Sequence, residues 1–394
     1  MLTYRKSLAA ILILTCALTA RAADARREIA FPDIPGYQTL KCDFHTHTVF
    51  SDGNVWPTVR IDEAWREGLD AIAITDHIEY RPHKDDISDN LNRPYELVVE
   101  RAKQQDILLI RGAEITHDTP PGHFNAIFLN NVTPLNTPDL YAQVEQAAGQ
   151  GGFIFWNHPG WKGPERGRWG EAQTHLFEKG WLKGIEICNG EYHYPEAYQW
   201  ATEKKLALIG NSDIHGPSPT TPWTPENHRT LTLVFARERS LDAIQAALVD
   251  GRTAAWCQNR LYGRESELSA LFAASVHLRP PHHRTEEYIS FRIDNACELD
   301  LELERTGAVG PRTLRLPARS GTLVRLRVPT TIPEEGLSYK VTNILIGPDQ
   351  PLSVQLVVPP QIGRGPAGPT AGYGGHMPRS MQAGGSGQRA GQAI

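Results

Sequence analysis

Cysteine and methionine are scarce in this chain of 394 residues, which holds five of the first and three of the second. No two cysteines stand as a C-x-x-C pair, which excludes the common cysteine zinc sites and thioredoxin-type redox motifs. Positive charge is not in excess. The 40 Lys and Arg against 45 Asp and Glu leave a net charge of -5, so no basic groove for nucleic acid is expected. The acidic surplus is also too small to mark a disordered chain. No membrane span is expected, because the apolar run Leu8 to Leu18 is too short for a comfortable crossing and no later segment supplies one. That run follows Tyr4-Arg5-Lys6 and precedes Ala20-Arg21-Ala22, the order of a secretory signal, which predicts cleavage near Ala22 and export to the bacterial periplasm. Cys16 lacks the small preceding residue of a lipidated cysteine. Cys42, Cys188, Cys257 and Cys297 are widely separated and are expected to be buried free thiols.

What is present is ample core material: 40% of residues are hydrophobic, enough for a large core and more than one domain. From about Leu40 to Trp256, short β-rich runs alternate with helical stretches, the rhythm of a parallel α/β architecture. Strands are expected at Leu40–Phe44, Ala71–Thr75, Ile107–Arg111, Phe153–Trp156, Gly184–Ile187, Leu206–Ile209 and Leu231–Phe235. Helices are expected at Val59–Glu67, Tyr95–Gln105, Leu140–Ala148, Glu196–Lys204 and Ser240–Val249, with Gly68 and Gly251 as C-caps. Seven strands favour a barrel, with an open doubly wound sheet as the alternative. After Leu261 the runs Tyr288–Ile293, Leu299–Glu304, Thr313–Leu316, Thr322–Val328 and Ser353–Val358 alternate without helical spacing, as in a small antiparallel β-sandwich. The expected division is a signal over 1–22, a barrel over 23–260, a β-sandwich over 261–358 and a disordered Gly/Pro-rich tail over 359–394.

In parallel α/β barrels, functional groups project from the carboxyl ends of strands, and nearly every strand here ends in His or an acid. The first runs into Asp43-Phe44-His45-Thr46-His47 and then Ser51-Asp52-Gly53; residues two apart on extended backbone face one side, so His45 and His47 can meet one ion. The others end in Thr75-Asp76-His77, Gly112-Ala113-Glu114, Asn157-His158-Pro159 and Asn211-Ser212-Asp213-Ile214-His215, with His123 before a further apolar run. Singly, a histidine at a strand end is more often a hydrogen-bonding loop residue, the reading given to His83, His175 and His228. Nine such groups on one rim are not explained by solvation or packing. Mixed imidazole and carboxylate donors suit zinc, manganese or iron(II) and disfavour calcium.

These motifs, in this order from about Lys41 to Trp256, resemble the PHP (polymerase and histidinol phosphatase) superfamily. The resemblance implies a distorted (β/α)7 barrel, two or three divalent metal ions and phosphoesterase chemistry. Carried over by position, it puts His45, His47, Glu114 and Asp213 on one metal, and Glu114, His123 and His158 on a second. Asp52, His77 and His215 would hold a third, where some relatives use His in place of Asp52. His123 is favoured over the nearby His117 by the step Gly122-His123-Phe124 into an apolar run. A metal-bridged hydroxide is then the expected nucleophile, with Glu114, Asp213 and His215 carrying the catalytic step.

A small-molecule phosphate ester is the expected substrate. Lys162, in a loop with Trp161, Arg166 and Arg168, and His193, in a turn with Glu191 and Tyr192, are the residues chosen to bind it. The export signal favours a phosphodiesterase. The alternatives are a phosphomonoesterase of histidinol-phosphatase type, an amidohydrolase acting on an amide or lactone, and a metal-binding module without catalysis.

Overall fold

The computed structural model describes residues 25–327, 334 and 336–360. The expected signal over 1–22 and nearly all of the expected tail lie outside the described residues. Eleven strands build the first part of the chain: β1 (Gln38–Asp43), β2 (Ala71–Ile74), β3 (Leu108–Thr116), β4 (His123–Ile127), β5 (Phe153–Trp156), β6 (Leu182–Asn189), β7 (Tyr192–His193), β8 (Ala207–Asn211), β9 (Leu231–Ala236), β10 (Thr253–Cys257) and β11 (Arg260–Gly263). All seven expected strands are among them. Their sheet is mixed. β1–β2–β3 and β5–β6–β8 are parallel runs, while β4 is antiparallel to both β3 and β5 and β9 is antiparallel to β1.

Closure is distorted because β8 meets its far neighbours through side chains. Leu208 N donates to Thr253 Oγ1 and Gly210 N to Thr232 Oγ1. The barrel interior is filled by every second residue of the strands: Leu40, Cys42, Phe44, Ala71, Ala73, Phe153, Phe155, Ala207 and Ile209 are all under 5% exposed. Each large member of such a set contributes about 1.5–3 kcal/mol by leaving water. With the interior packed, only the rim can hold a ligand.

Helices at Pro57–Glu67, Leu140–Gly149, Pro195–Lys204 and Leu241–Val249 match the expected ones within two residues. The first ends at Gly68, whose φ of 86° and a Cβ that would sit 2.4 Å from Arg27 O leave room only for glycine. The stretch expected as one helix over Tyr95–Gln105 is two short ones, Arg93–Glu96 and Val99–Gln104, and a further helix covers Glu171–Glu178.

The carboxyl-terminal part is the expected antiparallel β-sandwich, with strands Tyr288–Asn295 and Ser320–Arg327 paired in one sheet and Leu301–Arg305, Thr313–Leu316, Leu337–Leu345 and Pro351–Leu356 in the other. It is not simply appended. Leu261 and Tyr262 of β11 pair in parallel with Ile344 and Leu345, so the barrel sheet continues into the sandwich. A helix over Glu265–Ser275, absent from the sequence reading, packs Leu268, Leu271 and Phe272 into a core shared by both parts. Its buried positions recur at spacings of three and four, the helical signature. Cys42, Cys188, Cys257 and Cys297 are buried and unbonded.

Candidate metal centre

The HisThrHis segment leaves β1 so that Thr46 bridges to Ile214 while His45 and His47 turn inward, both fully buried. Each Nε2 lies between two carboxylates: His45 Nε2 is 3.3 Å from Glu114 Oε2 and 3.2 Å from Asp213 Oδ1, and His47 Nε2 is 3.3 and 3.0 Å from the same atoms. None of these four atoms has a hydrogen-bond partner. Buried polar atoms are almost always satisfied, so four orphans facing one point need a common partner. Four donors at about 2 Å from a tetrahedral ion stand roughly 3.3 Å apart. The residues present therefore fit a divalent metal ion.

Glu114 reaches a second group through its other oxygen. Oε1 accepts from Asn157 Nδ2 at 2.9 Å, lies 2.9 Å from His123 Nδ1 and is 3.5 Å from His158 Nε2. A third group centres on Asp52 Oδ1, also orphaned, 3.2 Å from His215 Nε2 and 3.4 Å from His77 Nε2. All nine sequence-predicted ligands thus meet in one site. Three groupings differ in detail from those expected: His47 also approaches the Asp52 group, His77 joins Glu114 and His123 with its Nδ1 2.9 Å from Glu114 Oε2, and His158 groups with His45 and Asp213. His117 stays outside, its Nε2 bonded to Gln143 Oε1 at 2.7 Å. His175 faces Tyr141, and His228 stacks on Trp256 with both ring nitrogens at backbone carbonyls.

The local backbone is bent to serve this convergence. His158 and Asp213 hold positive φ values of 27° and 51°, a conformation that costs a non-glycine residue energy and collects at functional sites. Gly53 lets the Asp52 turn close on His47, because a Cβ there would lie 2.6 Å from the His47 carbonyl carbon.

Sequence reasoning missed the groups that orient the donors. Glu186, fully buried at the centre of β6, accepts from His45 Nδ1 at 2.9 Å, His158 N at 2.8 Å, and Asn189 and Asn211 Nδ2 at 2.9 Å. A lone carboxylate in the apolar run Gly184–Ile187 was the available signal. Arg60, likewise fully buried, donates to the carbonyls of His47, Ile214, His215 and Gly216, pinning two ligand loops together.

Electrostatics follow from burial opposed by neighbours. Burial lowers the His45 pKa, but Asp213, Glu186 and Glu114 outweigh it and raise the value well above the ordinary one. For His47, burial reinforced by His77 outweighs Asp213 and Glu114 and pulls the pKa down to about 3. For His77 the opposing burial loses to Glu114 and Asp52, and its pKa is pushed up to about 10. Burial would raise Glu114 and Asp213, yet the surrounding imidazoles hold both well below the usual carboxylate range. These carboxylates are therefore anions ready to bind a cation.

Seven of the nine donors, all but His45 and His47, line a cavity of about 310 Å³ whose other walls are Trp161, Asn189, Tyr192 and Tyr194. The two residues expected from sequence to bind substrate, Lys162 and His193, are not among its walls. Lys162 is paired with Asp118 at 2.7 Å and lies over the Trp161 ring. His193 stacks on Tyr262 with ring centroids 4.1 Å apart and lines a separate cleft. Alternation explains it: with Tyr192 and Tyr194 at the cavity, the residue between them points away.

Comparison with known proteins agrees with this geometry. The PHP domain family model matches residues 43–210, and a model described as an Ig-like domain matches residues 276–357. A solved two-domain protein from Bacteroides vulgatus, described as containing a predicted PHP-like metal-dependent phosphoesterase, is 45% identical with a TM-score of 0.79, covering 84% of this chain and 98% of that one. An uncharacterized protein of Methanocaldococcus jannaschii is 40% identical over 81 residues, 21% of this chain and 36% of that protein, so the match spans about a third of that relative. The chain belongs to the PHP-domain family of metal-dependent phosphoesterases, and its own second part matches an Ig-like domain.

Proposed function

We propose that this protein is a metal-dependent phosphodiesterase, exported to the periplasm by its amino-terminal signal. The observation that carries the reading is the convergence of His45 Nε2, His47 Nε2, Glu114 Oε2 and Asp213 Oδ1, buried and without hydrogen-bond partners, where Glu114 and Asp213 in turn line a cavity of about 310 Å³. Manganese, zinc or iron held there supplies a Lewis acid that brings the pKa of water toward neutrality and offsets charge on phosphoryl oxygens.

The chain does the positioning. Glu114 turns one oxygen to His45 and His47 and the other to His123 and His158, fixing the separation of two donor groups. Asp213 Oδ2 stays toward the cavity wall, 3.3 Å from the Asn189 amide, placed to accept a proton from an attacking water. His215 Nδ1 donates to the Asp213 carbonyl at 2.8 Å, which aims its Nε2 at Asp52. No Lys or Arg lines the cavity among the described residues. A monoester dianion is what extra cations would hold, whereas a singly charged diester needs none.

Purified enzyme supplied with manganese or zinc is to be assayed on bis(4-nitrophenyl) phosphate and 4-nitrophenyl phosphate. Higher kcat/KM for the diester supports the reading. Preference for the monoester makes it a phosphatase of the histidinol-phosphatase kind, and inactivity toward both redirects the search to amides and lactones.

A further inference from the structure

The mouth of the metal cavity is chemically mixed. Asp52, His77 and His215 form one group of its lining residues, and the aromatic residues Trp161, Tyr192 and Tyr194 also line it. Trp161 is 50% exposed and Tyr192 70% exposed, so two large aromatic faces are left in water beside the metal donors, where a ligand can cover them. Trp161 reaches far enough in for its ring centroid to lie 5.6 Å from both His123 and His158. It is also held in place: the Lys162 ammonium sits 4.7 Å from the indole centroid and is itself tied to Asp118. Gly160 has no side chain to displace Tyr194, whose ring a Cβ there would meet at 2.8 Å, so Tyr194 packs against the segment that carries Trp161.

We propose that Trp161, Tyr192 and Tyr194 form a subsite for a flat ring without negative charge carried by the phosphate ester, beside the Glu114–His123–His158 side of the centre. This rests on the phosphate-ester reading above. The ring carries no negative charge because no Lys or Arg shares the cavity wall among the described residues, and Lys162 is tied to Asp118. It is flat because stacking on indole and phenol faces rewards planar partners. Lys162 acts as a positioning residue for Trp161.

The test is calorimetric binding of phenylphosphonate and methylphosphonate to the full-length, manganese-supplied protein. The two probes carry the same phosphonate group and differ in the ring. Wild type is expected to bind the phenyl probe about ten-fold tighter, a typical return for one stacked ring. Trp161→Ala should erase that preference while leaving methylphosphonate affinity unchanged, and Trp161→Phe should keep most of it. Equal binding of the two probes by wild type would overturn the subsite, as would a preference that survives both Trp161→Ala and Tyr192→Ala. Loss of methylphosphonate binding in Trp161→Ala would also overturn it, because Trp161 would then be supporting the metal site. A phenyl preference without any diester turnover would sink the phosphodiesterase reading and leave the subsite standing.

Discussion

Glu186 Oε1 accepts the Nδ1 proton of His45 at 2.9 Å, which leaves Nε2 free to face Glu114 and Asp213. A carboxylate behind a metal-facing imidazole fixes its tautomer and raises its basicity. Glu186→Gln keeps the shape and the backbone contact to His158 but weakens the pull on the His45 proton. Metal affinity, measured by titration into chelator-treated protein, should fall by about 10–100-fold. An unchanged affinity would mean that Glu186 is only packing.

Arg60 makes its case through the backbone. Its guanidinium satisfies carbonyls on both the His47 and the Asp213–His215 segments and pairs with buried Glu63 at 2.7 Å. Removing one partner of a buried pair costs about 3–5 kcal/mol. Arg60→Met should lower unfolding stability in urea by that order and reduce metal affinity as well. A variant with native stability would refute the clamp.

Metal binding should release protons. In the metal-free chain, His77 has a pKa of about 10, above its unfolded value, so its stabilising contribution is full below pH 6.5 and is lost as pH rises through about 10. A cation competes with that proton, so metal affinity should rise with pH over the same window. Calorimetry in buffers of different ionisation enthalpy reads the release directly; no buffer dependence near neutral pH would contradict the pairing of His77 with Glu114 and Asp52.

His193 stacks on Tyr262 away from the cavity. His193→Ala should therefore leave kcat and KM for the diester unchanged, measured alongside wild type. A selective rise in KM would return His193 to the substrate site.

Eight of the donors stood out because each sits in a short motif at or just after the end of an apolar strand, where strand ends of an α/β barrel meet on one rim; His123 instead opens the antiparallel strand β4. His123 and His117 were separable by the apolar run that only His123 enters. Lys162 and His193 were not legible. Their direction depends on the Asp118 ion pair and on the Tyr262 stack, contacts 44 and 69 positions away. The strand Leu337–Leu345 went unnoticed although its burial alternates, Leu337, Tyr339 and Val341 inward with Ser338, Lys340 and Thr342 between. That β11 pairs with this strand could not be read from pattern, because register between distant segments is set by packing.

The most direct test of the account is metal titration of chelator-stripped wild-type protein and of Glu114→Ala, reading 4-nitrophenolate release from bis(4-nitrophenyl) phosphate. Glu114 offers its two oxygens to separate donor groups. The account predicts that manganese or zinc restores turnover in wild type at two or more equivalents, a count that rests on the donor groupings, and that Glu114→Ala stays inactive at any metal concentration. Turnover in the stripped wild type, or full activity in Glu114→Ala, would contradict it.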